Sequence, residues 1–242
     1  MKLVRLMLHP KPELVRLDTS LRFTDILFGF VIREIFLRLQ YWQNLPRDVL
    51  MQLGVCSALV LGSWIGYRRS LNRSAYEVKF FNLPFFRFLL DQGMLVLYFQ
   101  MAGFTPADLG KPGADPNTKV PLAPNSFELA NGTVRSVFIV FILYSAWDLL
   151  GMFMAASKVS GKPRYPEVTG NVVCNKIVDD SKQQRPDWAA VVITVVFLGL
   201  FEVLRLLLNQ SCTSPVWTFI ICIVLLLAYR LVKEIKTSWR RG

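Results

Sequence analysis

The sequence predicts an all-α integral membrane protein of six transmembrane helices, with both termini on the cytoplasmic side. Three observations predict it. The 242-residue chain is 53% hydrophobic and contains six apolar runs that approach the roughly 20 residues needed to span hydrocarbon. With both ends placed inside, segments 1–22, 68–82, 157–187 and 230–242 hold twenty Lys and Arg, whereas 43–48, 105–133 and 209–215 hold three. Short loops with that bias orient a membrane protein, positive side inward. The two long connections, a proline-rich outer one at 105–133 and a longer basic cytoplasmic one at 157–187, are too polar or too broken to span.

Taken in order, residues 1–21 form a basic N-terminal segment in which Leu14, Val15 and Leu17 alternate with Arg16 and suit the membrane surface. The six-helix domain covers 22–232. Span one, 22–42, follows the N-cap residues Asp18, Thr19 and Ser20 and closes on Tyr41-Trp42, an interfacial pair. Span two, 49–67, follows Pro46 and holds Gly62-Ser63-Trp64-Ile65-Gly66, a G-x-x-x-G that permits close helix approach. Span three is 84–104. Pro106, Pro112, Pro116, Pro121 and Pro124 then argue for irregular chain as far as residue 133. Span four is 135–156. The basic loop after it contains Val168-Thr169-Gly170-Asn171-Val172-Val173, a candidate hairpin. Spans five and six, 188–208 and 216–232, flank a tight turn, and 233–242 is a basic tail.

The net charge of +11 has its plain cause in cytoplasmic loops, so a nucleic acid or nucleotide ligand is the less favoured reading. Arg68, Arg69, Arg73, Arg240 and Arg241 are the candidates for meeting anionic lipid or a soluble cytoplasmic partner. The four cysteines form no disulfide framework, and a lone His9 argues against a His/Cys metal site or a haem. No metal or cofactor is expected. The chain contains no H-E-x-x-H, G-x-S-x-G, Walker or C-x-x-C pattern. The expectation is a protein that is not an enzyme.

The chemistry lies in the charges inside the spans. Asp25, Arg87, Asp91 and Asp148 fall in the inner half; Arg33, Glu34, Arg38, Glu202 and Arg205 fall near the middle or the outer half, counting about 1.5 Å per residue. Glu34 and Arg38, Arg87 and Asp91, and Glu202 and Arg205 stand three or four residues apart and meet on their own helix faces. Asp25, Arg33 and Asp148 need partners elsewhere. Asp25 is expected against Arg22 or Arg87, and Arg33 against Glu202. Such residues face a bundle interior or a wet cavity. Asp25, Arg33, Glu34, Arg38, Asp91, Asp148, Glu202 and Arg205 are therefore the candidates for lining a pore or polar cavity.

Arg22-Phe23-Thr24-Asp25-Ile26-Leu27-Phe28 is similar to the R-x-x-x-F-S-D-x-x-F signature that opens span one of the lysosomal-type potassium channels. The arginine spacing differs, Thr replaces Ser, and Arg33-Glu34 departs further. Over these seven residues the resemblance implies one thing, span one as a pore wall. Six spans enclose little space in one copy, so a water path forms more naturally on the axis of a cyclic homo-oligomer. The expectation is a homo-oligomeric ion channel or pore, anion-leaning because of Arg33 and Arg38, lined chiefly by span one and regulated from the cytoplasmic side. The alternative is a non-conducting sensor or anchor that recruits a soluble partner through its basic face. A bacterial inner membrane suits a small, basic chain without a signal-peptide pattern.

Overall fold

Six α-helices make up the described structure: α1 (Pro12–Leu39), α2 (Arg47–Arg73), α3 (Leu83–Gly103), α4 (Ser126–Ser160), α5 (Trp188–Asn209) and α6 (Pro215–Trp239). They come from a computed structural model that describes residues 12–73, 83–106, 125–160, 188–210 and 212–239, together with Leu109. The candidate hairpin at 168–173 lies outside these residues.

Helix ends follow local chemistry. Pro215 occupies the first position of α6, where a missing N–H costs nothing, and the Ser214 carbonyl accepts from Thr218 N–H at 3.0 Å. The start of α4 differs from the expected span. It begins at Ser126 rather than Arg135, because Asn125 caps it: the Asn125 side-chain oxygen accepts from Phe127 N–H at 3.1 Å, and the Asn125 carbonyl from Leu129 N–H at 2.9 Å. Gly132, which reads as a loop residue, sits inside that helix where a Cβ would meet the Phe104 ring at 3.4 Å. α1 likewise starts at Pro12 rather than Arg22, so residues 12–21, expected as part of a separate surface segment, continue into the first helix.

Four helices are long and apolar enough to cross a membrane: the stretches Arg47–Arg68, Ser126–Met154, Trp188–Asn209 and Pro215–Lys236. α1 and α3 carry the charges and amides that set them apart. The outward faces are oily throughout. Val192, Val195, Val196, Leu200 and Val203 of α5 and Val224, Leu227 and Leu231 of α6 are exposed, an apolar surface far larger than soluble monomers carry. This is a helical, membrane-embedded protein.

Helices α2 and α4 form the centre. α2 packs on α1, α3, α4 and α6, and α4 on α2, α3, α5 and α6; α1 leans on α2 and α3, and α5 on α4 and α6. α1 and α5 are thus the two outer flanks. Association between helices in lipid rests on close packing rather than on expelling water, and aromatic rings supply it here. Phe141 of α4 lies 4.6 Å from Phe201 and 4.8 Å from Tyr229, and Phe197 lies 5.3 Å from Tyr229. Hydroxyls inside the apolar helices fold back on their own backbones: Ser57, Ser63, Thr133 and Ser145 each donate to the carbonyl four residues earlier at 2.6–2.9 Å.

Candidate functional site

Polar side chains gather at the two ends of the bundle and thread its centre. Contacts between them show that neighbouring helices run in alternate directions. Asp25, midway along α1, meets the far end of α2, whereas Arg38 at the end of α1 meets Thr105, two residues past the end of α3.

The end that holds the α1 C-terminus is closed by one buried guanidinium. Arg38 Nε donates to the Thr105 carbonyl at 2.6 Å, and its Nη1 bridges Glu34 at 2.5 Å and the Glu34 carbonyl at 3.0 Å. Next to it, the Thr105 hydroxyl donates to Gln52 Oε1 at 3.2 Å, and Gln52 Nε2 to the Met101 carbonyl at 2.6 Å. The carbonyls freed where α3 ends are thereby satisfied by side chains from α1 and α2, as a helix terminus requires. On the α5 flank Arg205 makes a two-pronged bridge to Glu202, at 2.6 and 2.8 Å.

The opposite end is richer in cations. Arg68 of α2 bridges Asp25 at 3.0 Å, and the Trp64 indole N–H donates to the same carboxylate at 3.1 Å. The sequence expectation set Asp25 against Arg22 or Arg87; the side chain of Arg22 lies outside the described residues, and α2 supplies Arg68 and Trp64 to this carboxylate. Arg87 is buried and lies 3.5 Å over the Trp147 ring, with Gly151 leaving it room. Asp91 is buried on the same helix, one turn on. Asp148 accepts from Lys233 Nζ at 2.9 Å and from the Thr194 hydroxyl at 2.6 Å, so one carboxylate ties α4 to α5 and α6. The Lys233 ammonium also stands 4.7 Å over the Tyr229 ring.

Between these ends lies a network that the sequence did not announce. Ser63 on α2, Tyr98 on α3 and Tyr144 on α4 bring three hydroxyls together, Ser63 with Tyr98 at 2.7 Å and Tyr98 with Tyr144 at 2.9 Å, while Ser63 also touches Tyr144. Arg230 of α6 donates to the Tyr144 hydroxyl at 3.2 Å. Gly62 and Gly66 explain how it gets there. A Cβ at Gly62 would fall 2.9 Å from Arg230 Nε, and one at Gly66 would overlap Nη1. The G-x-x-x-G reads from sequence as a helix-approach motif; in the fold its missing side chains form a slot for an arginine.

Arg33 stands apart from every other candidate. It is exposed and has no ion-pair partner among the described residues. The expected bridge to Glu202 does not form: Glu202 engages Arg205, and α1 and α5 occupy opposite flanks. Arg33 lies in an outward stripe of Ile26, Phe30, Phe36 and Leu37. Of the candidates for partner contact, Arg68 is about half exposed; the side chains of Arg69 and Arg73, and all of Arg240 and Arg241, lie outside the described residues. Compared with known proteins, the chain matches no family model, no curated sequence and no solved structure.

Proposed function

We propose that the protein is a homo-oligomeric membrane channel whose α1 helices face a common aqueous axis, with Arg33 favouring anions. Arg33 is the observation that carries this. Asp25, Glu34, Arg38, Asp148, Glu202 and Arg205 all find opposite charges within one copy, whereas Arg33 points away from the bundle in an apolar stripe. A guanidinium facing lipid costs several kcal/mol. Copies of α1 gathered around water remove that cost and create a ring of positive charge, which selects anions. On this reading α1 and α3 complete a set of six spans with both termini cytoplasmic, the orientation favoured by the Lys and Arg distribution, in a bacterial inner membrane.

The test is the reversal potential of salt-gradient liposomes, measured alongside the native mass of the purified protein. The proposal expects an oligomer that conducts with anion preference, and a shift toward cations on Arg33→Glu. A monomer, or a protein that never conducts, refutes it. One observation favours a second reading, a non-conducting anchor or sensor that recruits a soluble partner: Arg68, Arg230 and Lys233 cluster at one end of the bundle. That reading expects no conductance and salt-sensitive capture of an acidic partner at that end.

A further inference from the structure

Arg230 has the geometry of half a binding site. The neighbouring cations at its end of the bundle are neutralised, Arg68 by Asp25 and Lys233 by Asp148. Arg230 meets no carboxylate among the described residues. A guanidinium offers five N–H donors, and among the described residues Arg230 makes a single hydrogen bond, to the Tyr144 hydroxyl. The rings of Tyr144 and Tyr229 lie 5.7 and 5.5 Å from it, a favourable setting for a cation but no source of hydrogen-bond acceptors.

The acceptor that holds Arg230 is itself fixed in polarity. Ser63 donates its one proton to the Leu59 carbonyl at 2.6 Å. Its lone pairs are thus left to accept from Tyr98 and Tyr144. With its proton turned toward Ser63, the Tyr144 oxygen presents lone pairs to Arg230. The chain of hydroxyls therefore orients the guanidinium, and the slot over Gly62 and Gly66 sets its plane against α2. The remaining donors have no acceptor among the described residues. Arg230 is half-buried and lies six residues before Lys236, the end of the apolar stretch of α6, about 9 Å along the helix axis.

We propose that Arg230, in the groove between α2 and α6, binds a phosphate group, carried by an anionic lipid or free in solution. The fork of a guanidinium matches two phosphate oxygens, and the ligand would supply the negative charge that the fold leaves out. This holds whether or not the protein conducts.

The test uses the purified full-length protein stripped of lipid. Its thermal unfolding is followed against three probes: phosphatidylglycerol, sodium phosphate, and a monoacylglycerol as the phosphate-free control. Saturable stabilisation by phosphatidylglycerol alone identifies a lipid phosphate; saturable stabilisation by sodium phosphate identifies the free anion. In either case Arg230→Gln is expected to weaken apparent affinity about tenfold to a hundredfold, with part of it restored in Arg230→Lys. Gly66→Ala keeps the charge but pushes the guanidinium out of its slot, and also weakens binding. Should Arg230→Gln fail to fold, Arg230→Lys and Gly66→Ala decide the question. Stabilisation by neither phosphate probe, stabilisation matched by the control, or affinity unchanged in the variants overturns the proposal.

Discussion

The Asp148–Lys233 bridge gives the most quantitative handle on this bundle. Asp148 is 8% exposed and Lys233 is 23% exposed, so neither charge is well hydrated once its partner is gone. Asp148→Asn preserves shape and an acceptor for the Thr194 hydroxyl, and removes only the charge opposite Lys233. Breaking a buried pair costs about 3–5 kcal/mol; since Lys233 keeps partial access to solvent and rests over the Tyr229 ring, about 2–3 kcal/mol is expected here. Lys233→Met leaves the more buried carboxylate with one hydrogen bond, and should cost about 3 kcal/mol. The double variant contains no unpaired charge. It should be less destabilised than the two single variants combined, by about 2 kcal/mol. Equilibrium unfolding in mixed micelles, run as a double-mutant cycle, measures the difference. Strict additivity would refute the reasoning, since it would mean that the two charges do not sense each other in the fold.

Two further outcomes test the packing. Arg38→Met strands the Glu34 carboxylate and the Thr105 carbonyl, and should destabilise by about 3 kcal/mol, partly relieved by adding Glu34→Gln, in the same unfolding assay. Asn125→Ala removes the cap of α4 and should cost about 1 kcal/mol, whereas Asn125→Asp should be close to neutral; hydrogen exchange of the first turn of α4 reports this directly.

Local spacing made some of the site legible. Glu34 with Arg38 and Glu202 with Arg205 form the bridges that three- and four-residue separations predict, because one helix turn brings such side chains together regardless of the rest of the chain. Pairings between helices were not legible. Asp25 reaches Arg68 of α2, and Arg33 reaches no acid among the described residues, because those contacts depend on which helices become neighbours. Tyr98, Tyr144 and Ser63 gave no signal at all, being ordinary residues in three separate apolar runs. The start of α4 departs from the expected span for a smaller reason: the prolines argued for irregular chain as far as residue 133, whereas the last of them is Pro124 and the helix is capped directly after it by Asn125.

The sequence by itself determined that this is a helical membrane protein, because the length and oiliness of a helix are properties of a single segment. It also determined the ion pairs Glu34–Arg38 and Glu202–Arg205. The tertiary structure alone decided which charges are neutralised and which are left over. Neutralisation between helices requires two segments distant in sequence to face each other at the same depth, and neither register nor facing is written in either segment. That is why Arg33 emerges only in the fold as a cation turned outward, and why Gly62 and Gly66, two absent side chains on α2, acquire meaning only when Arg230 of α6 is laid across them.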